Sequence, residues 1–228
     1  MTVDQKYSAQ RTRMVWGCFV GAMTLASGGF ILGDGGAPQG IAAVSPSVRT
    51  ESVPGGEWDI SPREALVVPG QWRSIVIHHS ATPAGDAESL QRQQVELGLT
   101  GLGYHFLIGN GQGLGDGVIH VGYRWNRQLA GAHVGARAQS AGGVGGVGLS
   151  ALQADQMNRH AIGICLVGNG NRRSFTPRQI RELMALVQAL QRDLGIPATG
   201  VYLHSDLSAE RSPGQKFPLA EFESQLLR

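Results

Sequence analysis

Three histidines stand where a folded chain can bring them together, although they are far apart in the sequence. His78 ends an apolar run, His204 follows another such run near the carboxyl end, and His133 ends the segment Ala-Gly-Ala-His. Neutral imidazole is a common ligand of zinc, and a hydrolytic zinc site needs three protein ligands and an open position for water. Such an ion lowers the pKa of water towards neutrality and polarises a scissile carbonyl. The pattern predicts metal-assisted hydrolysis; the alternative is that these are ordinary polar residues at strand ends.

The residues before His78 predict the strand that must position it. Residues 74–77, Ser-Ile-Val-Ile, form an unbroken run rich in β-branched side chains, which is typical of a strand covered on both faces. Successive residues of a strand point to opposite faces, so His78 and His79 cannot both serve one site unless the strand breaks there. We expect one of them to be a ligand and the other to be a supporting group.

Signals for strands and helices alternate along the rest of the chain. The clearest helix start is Thr-Pro-Arg-Gln at residues 176–179, which combines a hydroxyl cap, a proline in the first turn and a capping-box glutamine. Residues 135–156, rich in Gly, Ala and Ser, are predicted to form a surface loop, and His120 and His160 are predicted to face solvent. Together the segments predict an α/β fold with a central mixed β-sheet flanked by helices. The other predicted strands are 104–108, 118–121, 161–167 and 201–204, and the other predicted helices are 86–97, 176–194 and 219–227.

The composition limits the size and the partners of the folded part. The chain has 228 residues, of which 42% are hydrophobic and 16% charged, which suits one core and one domain with additional segments. A formal net charge of +2, without a Lys/Arg-rich block in the folded part, argues against a nucleic-acid partner. With only Cys18 and Cys165 present, a disulfide framework is excluded, and Cys165 lies within a strand-like run. We expect a monomer.

The amino-terminal region has the pattern of an export signal or a membrane anchor. Residues 1–13 contain Lys6, Arg11 and Arg13, whereas residues 14–33 contain no charged side chain. Twenty helical residues span roughly 30 Å, the thickness of a bilayer core, and the basic flank predicts that the remainder lies outside the cytoplasm. Small residues around 22–27 are equally consistent with a signal-peptidase site. We therefore divide the chain into residues 1–33 as signal or inner-membrane anchor, 34–56 as a flexible Gly/Pro/Ser linker, and 57–228 as a folded domain in the cell envelope or periplasm.

Six motifs occur in a fixed order across about residues 72–222. They are Ile-Val-Ile-His-His-Ser-Ala-Thr at 75–82, Gly-Tyr-His-Phe at 103–106, Gly-Ala-His at 131–133, Ala-Ile-Gly-Ile-Cys-Leu-Val-Gly-Asn at 161–169, Phe-Thr-Pro at 175–177 and Ser-Pro-Gly at 212–214. This set resembles the type 2 N-acetylmuramoyl-L-alanine amidases and peptidoglycan recognition proteins. The resemblance implies the fold of that family, zinc as cofactor, and peptidoglycan or a muropeptide as the ligand. It further implies hydrolysis of the amide between the lactyl group of muramic acid and L-alanine, with His78 and His204 on zinc and Tyr104 assisting.

The chain departs from this family at position 212. The family's amidases place a cysteine ligand there, in Cys-Pro-Gly, whereas this chain has Ser212, whose neutral hydroxyl is a weak zinc donor. Recognition-only members of the family also lack a ligand at this position, so the alternative to a zinc amidase is a protein that binds muropeptide without cleaving it. Glu210 or Asp206 can replace the missing thiolate if the loop is shifted. Glu210 also stands where some of these amidases carry a catalytic lysine.

The remaining candidates are predicted contacts for the ligand. His133 matches a family histidine that lines the groove near zinc, and we expect it to touch substrate. His79 and His105 are candidate substrate contacts for which a structural hydrogen-bonding role is the alternative. Asn169, at the mouth of its strand, can hydrogen-bond glycan or peptide. The expected site therefore has these four substrate contacts, a zinc ion held by His78, His204 and Ser212, and catalytic roles for Tyr104 and Glu210.

Overall fold

The computed structural model describes residues 59–136 and 148–228. The predictions for the leader at residues 1–33 and the linker at 34–56, the boundary at 57, and the middle of the loop predicted at 135–156 lie outside the described residues. Within the described ranges, no helix is long and apolar enough to cross a membrane.

Five strands form one mixed sheet in the order β3-β2-β4-β1-β5. The strands are β1 (Ser74–His79), β2 (Phe106–Ile108), β3 (Ile119–Val121), β4 (Ala161–Leu166) and β5 (Val201–Leu203). β1 runs parallel to β4 and β5, β2 runs parallel to β4, and β3 pairs antiparallel with β2 as the predicted hairpin. All of β4 and all but the first residue of β1 are buried, which confirms that these apolar runs are core strands.

Helices pack on both faces of this sheet. They are α1 (Ala87–Glu96), α2 (Tyr123–Asn126), α3 (Ala151–His160), α4 (Pro177–Leu194), α5 (His204–Leu207) and α6 (Leu219–Ser224). The buried face of α4 shares one hydrophobic cluster with β1, β2 and β4, whereas α1 packs on the opposite face, with Leu107 and Cys165. The Thr176 hydroxyl accepts from the backbone N–H of Gln179 at 3.0 Å, and the Gln179 side chain accepts from the N–H of Thr176 at 3.1 Å. The predicted cap of this helix is therefore confirmed.

Two predictions are wrong. Part of the predicted loop is helical, because the Ser150 hydroxyl accepts from the N–H of Gln153 at 3.3 Å and the Gln153 side chain accepts from the N–H of Ser150 at 2.9 Å. This capping box starts α3 within a segment whose composition suggested a loop. His120 does not face solvent but is 5% exposed, because it pairs across the hairpin with Leu107 on the face that α1 covers. His160 is half-buried at the end of α3.

Candidate functional site

Three segments carry histidines to the carboxyl end of β1. His78 is the next-to-last residue of β1, His204 follows β5 and opens α5, and His133 comes after α2. The ring centroids of His78 and His204 are 4.6 Å apart, and those of His78 and His133 are 5.0 Å apart. With bonds of about 2 Å each, two nitrogen ligands of one zinc ion are separated by at most about 4 Å. Because ring nitrogens lie off the centroid, a centroid distance of 4.6 Å permits one nitrogen of each imidazole to approach a single ion.

The strand period separates the two adjacent histidines. His78 is the register partner of Cys165 on β4, so its side chain points to the face that α1 covers, and His79 points to the other face. His79 instead meets the loop after β4, where its Nδ1 accepts from the N–H of Gly170 at 3.1 Å. The opposite orientation of the two side chains is the one that the strand period predicts, and the roles of the two histidines stay predictions.

Burial keeps the clustered histidines neutral. His78, His133 and His204 are all 8% exposed or less. Burial lowers the pKa of His78 well below its usual range, and the neighbouring His133 and His204 lower it further. Mainly through burial, the pKa of His133 falls to about 3 and that of His204 is also lowered. At neutral pH each ring therefore keeps a lone pair on one nitrogen, which is the form that binds a metal.

The donor atoms present fit a zinc ion at two positions. His204 Nδ1 is buried and has no hydrogen-bond partner among the described residues, an arrangement that costs stability unless a ligand uses the atom. His78 Nε2 makes a 3.0 Å hydrogen bond with His133 Nδ1. The other ring nitrogen of His78, Nδ1, is therefore the one that remains for a metal. Within residues 59–136 and 148–228, no group of three or more His, Cys, Asp or Glu side chains is arranged to hold a metal. His78 Nδ1 and His204 Nδ1 are thus the imidazole nitrogens available to a metal, and no third His, Cys, Asp or Glu among the described residues completes a group with them.

Helix α5 and the loop after it carry the candidates for the third position. Ser212 is 5% exposed, and its hydroxyl accepts a 3.0 Å hydrogen bond from the backbone N–H of His79. Glu210 has a largely exposed carboxylate, whose Oε2 lies 3.9 Å from His204 Nδ1. That distance is too long for a hydrogen bond but within the span of two ligands on one ion. Asp206 accepts from a backbone N–H at the start of α5 at 2.8 Å and so acts as a cap.

Tyr104 places its aromatic ring beside the histidine cluster. Its ring centroid is 5.2 Å from that of His78 and 6.4 Å from that of His133. Burial raises the pKa of the phenol well above its usual range, and the adjacent Cys165 raises it further. Burial also raises the pKa of the Cys165 thiol, so that the thiol stays protonated. At neutral pH the phenol therefore keeps its proton, and its hydroxyl interacts with the side chains of Cys165 and Gln94.

Hydrogen bonds to its backbone hold the segment that carries His133. Asn158 Oδ1 accepts at 3.0 Å from the N–H groups of His133 and of the next residue, and Asn158 Nδ2 donates to that next residue's carbonyl at 2.8 Å. The N–H of Ala132 donates to the carbonyl of Gly103 at 3.0 Å, directly before Tyr104. Sequence patterns gave no sign of Asn158, because α3 itself was not predicted. The segments that carry Tyr104 and His133 are thus joined through their backbones.

Three of the predicted substrate contacts are tied to groups of the protein itself. Besides the bond to Gly170, the carbonyl of Pro213 interacts with the His79 ring. His105 is fully buried, and its Nδ1 accepts from a backbone N–H of β4 at 2.9 Å while its Nε2 donates to a backbone carbonyl at 3.0 Å. Asn169 donates to one backbone carbonyl and accepts from a backbone N–H. These bonds agree with the structural alternative for the two histidines, and substrate contact by the three residues stays a prediction.

Comparison with known proteins identifies the family. The family model described as N-acetylmuramoyl-L-alanine amidase matches residues 69–215. The chain belongs to this amidase family. The match confirms the resemblance seen in the motifs, and it spans all the residues that form the histidine cluster and the loop around Ser212.

The amidase family includes relatives named for cleavage and relatives named for recognition. The peptidoglycan-recognition protein SC2 of Drosophila melanogaster is 30% identical over 149 residues, which cover 61% of this chain and 66% of that protein, just under two thirds. The solved N-acetylmuramoyl-L-alanine amidase LysC from Clostridium intestinale URNW has a TM-score of 0.53 at 25% identity, over 72% of this chain and 95% of that one. The endolysin amidase LysCS from the same organism has the same TM-score and identity and is covered over 93% of its length. These structures confirm the expected amidase fold.

Proposed function

We propose that this protein is a zinc-dependent N-acetylmuramoyl-L-alanine amidase, which hydrolyses the amide between the lactyl group of muramic acid and the L-alanine of the peptidoglycan stem peptide. The observation that carries the proposal is the pair of buried neutral imidazoles, His78 and His204, with ring centroids 4.6 Å apart. The unpartnered His204 Nδ1 and the membership of the amidase family also support it. Two neutral imidazoles beside a protonated phenol are suitable surroundings for a catalytic zinc ion.

Each polar group of the site has a role in this proposal. His78, His204 and the hydroxyl of Ser212 would hold the ion, and zinc, when bound, supplies a Lewis acid for the scissile carbonyl and lowers the pKa of water. Glu210 accepts a proton from the attacking water and returns it to the L-alanine nitrogen as the C–N bond breaks, giving a carboxylic acid and a free amine. The Tyr104 phenol donates a hydrogen bond to the oxygen on which negative charge develops.

We also propose that the protein acts as a monomer outside the cytoplasm, on peptidoglycan or on muropeptides released from it. The basic residues within 1–13 and the uncharged run at 14–33 support export, followed by cleavage or by anchoring in the inner membrane. Amino-terminal sequencing of the mature protein separates these outcomes. A mature chain that starts beyond residue 33 excludes the anchor, whereas an intact amino terminus in the membrane fraction supports it.

Binding without cleavage is the second candidate, and the environment of Ser212 favours it. The hydroxyl already accepts a hydrogen bond from the backbone of His79, and a neutral hydroxyl is a weak zinc donor. No third His, Cys, Asp or Glu in the described part of the chain completes a metal site with the two histidines. Under this alternative, the same groove holds a muropeptide but does not retain zinc.

Zinc analysis together with muropeptide cleavage separates the two candidates. The wild-type protein is compared with His78→Ala and Ser212→Cys, and Ser224→Cys is the matched control because Ser224 is exposed on α6. One zinc ion per chain, lost in His78→Ala, together with release of stem peptide, supports the amidase. A zinc-free wild-type protein that binds muropeptide, and gains hydrolysis in Ser212→Cys but not in Ser224→Cys, establishes the binding protein and overturns the first proposal.

A further inference from the structure

We propose that His133 is a positioning residue, which fixes the proton of His78 on Nε2 and so leaves His78 Nδ1 as the nitrogen with a free lone pair. Three groups form a row: the carbonyl of Ala161, the ring of His133 and the ring of His78. The use of that lone pair as a zinc ligand rests on the proposed function. The positions of the protons in the row do not rest on it.

The first hydrogen bond of the row has its direction set by the chemistry of a carbonyl. His133 Nε2 lies 3.2 Å from the carbonyl oxygen of Ala161. A carbonyl oxygen accepts and never donates, so Nε2 must carry the proton of this ring. A neutral imidazole has a single N–H, and therefore His133 Nδ1 is a bare acceptor.

The second hydrogen bond then has only one possible direction. His78 Nε2 lies 3.0 Å from His133 Nδ1. Since His133 Nδ1 has no proton to give, the N–H must belong to His78 Nε2, and His78 Nδ1 is left unprotonated. Both rings are neutral, because they are 2% and 8% exposed and no described carboxylate hydrogen-bonds to either, so a charge there would be buried and unpaired.

The fold provides a close-fitting space for the His133 ring. A Cβ added at Gly131 would lie 2.4 Å from His133 Cδ2, and one added at Gly163 would lie 2.5 Å from the same atom. Both distances are far below van der Waals contact, so glycine is needed at each place for the ring to fit. The backbone of His133 is held by Asn158 at 3.0 Å. Packing and backbone contacts therefore fix the ring that orients His78, as the partners of metal-binding histidines commonly do.

The proton positions can be measured directly by NMR on the metal-free full chain labelled with ¹⁵N-histidine. Long-range ¹H–¹⁵N correlations distinguish the protonated nitrogen of each ring from the bare one. We expect His78 and His133 each to be protonated on Nε2 alone. A wild-type His78 that is protonated on Nδ1, or that shows a mixture of both forms, overturns the proposal, whatever the protein does with zinc.

Variants of His133 test its causal role. His133→Leu removes the acceptor, so we expect a mixture of protonation forms at His78, whereas His133→Gln offers an amide oxygen and is expected to restore the Nε2–H form. Zinc affinity, measured by chelator competition, is expected to fall about tenfold to a hundredfold in His133→Leu and to recover in His133→Gln. His160→Leu, which removes a histidine outside the row, is the matched control and is expected to change neither readout.

The outcomes separate this inference from the proposed function. If His133→Leu leaves both the His78 spectrum and the zinc affinity at their wild-type values, the positioning role is refuted. If the wild-type protein binds no zinc, the proposed amidase fails, while the NMR spectrum of the wild-type protein still decides the proton positions. Backbone amide spectra show whether each variant is folded.

Discussion

Replacing Ser212 with cysteine is expected to lower the stability of the metal-free protein. The buried hydroxyl accepts from the backbone N–H of His79 at 3.0 Å. Sulfur is a weaker acceptor than oxygen, so the variant weakens this bond while the N–H stays buried. The loss is expected to be about 1 kcal/mol of the free energy of unfolding.

The same substitution is expected to raise the affinity for zinc. The ligands of a structural zinc site together contribute about 10–16 kcal/mol, or roughly 3 kcal/mol for each of four ligands. Since 1.4 kcal/mol is tenfold in affinity, a thiolate in place of a weak donor is expected to raise the affinity about a hundredfold. When free zinc is about 100 times the Kd of Ser212→Cys, zinc binding adds about 2.7 kcal/mol to the stability of that variant. This gain exceeds the loss from the weakened hydrogen bond.

The order of stability should therefore reverse when zinc is added. Denaturant unfolding of the wild-type protein and of Ser212→Cys, with zinc and with chelator, measures this reversal, and chelator competition measures the affinity. Ser224→Cys reports the effect of an exposed thiol. The reasoning is refuted if Ser212→Cys matches the wild-type protein in both measurements, or if Ser224→Cys gains as much zinc affinity.

Three further predictions concern the packing, the charge and the chemistry of the site. Gly163→Ala would place a Cβ 2.5 Å from an imidazole carbon, and we expect a loss of about 1–3 kcal/mol of stability; Gly135→Ala, with no atom within 4 Å, is the control. Because burial lowers the pKa of His105 to about 4, the unfolded chain binds more protons than the folded one below pH 6.5, so the metal-free protein should lose up to about 1.4 kcal/mol per pH unit from this ring as pH falls to about 4. Glu210→Gln is expected to slow amide cleavage about a hundredfold without weakening muropeptide binding, whereas the exposed Glu96→Gln should change neither.

Denaturant titrations check the first two of these predictions, and muropeptide cleavage by zinc-loaded protein checks the third. Unchanged stability of Gly163→Ala would contradict the packing argument. A stability that stays constant between pH 6.5 and 4 would contradict a buried neutral His105. Undiminished cleavage by Glu210→Gln would remove Glu210 from the catalytic role.

The fold was predictable from the sequence where a short stretch carries its own signal. The β-branched run before His78 and the capping box at Thr176 determine their elements through local chemistry, and both are present in the structure. Helix α3 was not predicted because the Gly/Ala/Ser-rich composition of the segment around its start favours a loop. The capping box at Ser150 is the local signal that indicates the helix. The burial of His120 depends on α1 packing over the hairpin, which no local pattern encodes.

The site was predictable only in part. The approach of His78 to His204 follows from topology, since β1 and β5 are parallel neighbours whose carboxyl ends meet at one edge of the sheet. The hydrogen bond from His79 to Ser212 and the approach of Glu210 to His204 depend on the path of a loop. The support given by Asn158 depends on a helix that was not predicted. Spacing and periodicity carry no information on these contacts.

The backbone hydrogen bond between Ala132 and Gly103 makes the two sides of the histidine cluster unequal. On this side Tyr104 and His133 cannot shift independently, because a displacement of either segment pulls on the other. On the other side, the segment at residues 208–211 is largely exposed, and it carries Glu210, whose Oε2 lies 3.9 Å from His204 Nδ1. Substitutions of Ser208, Ala209 or Arg211 are therefore expected to change ligand preference without displacing the joined side that carries Tyr104 and His133.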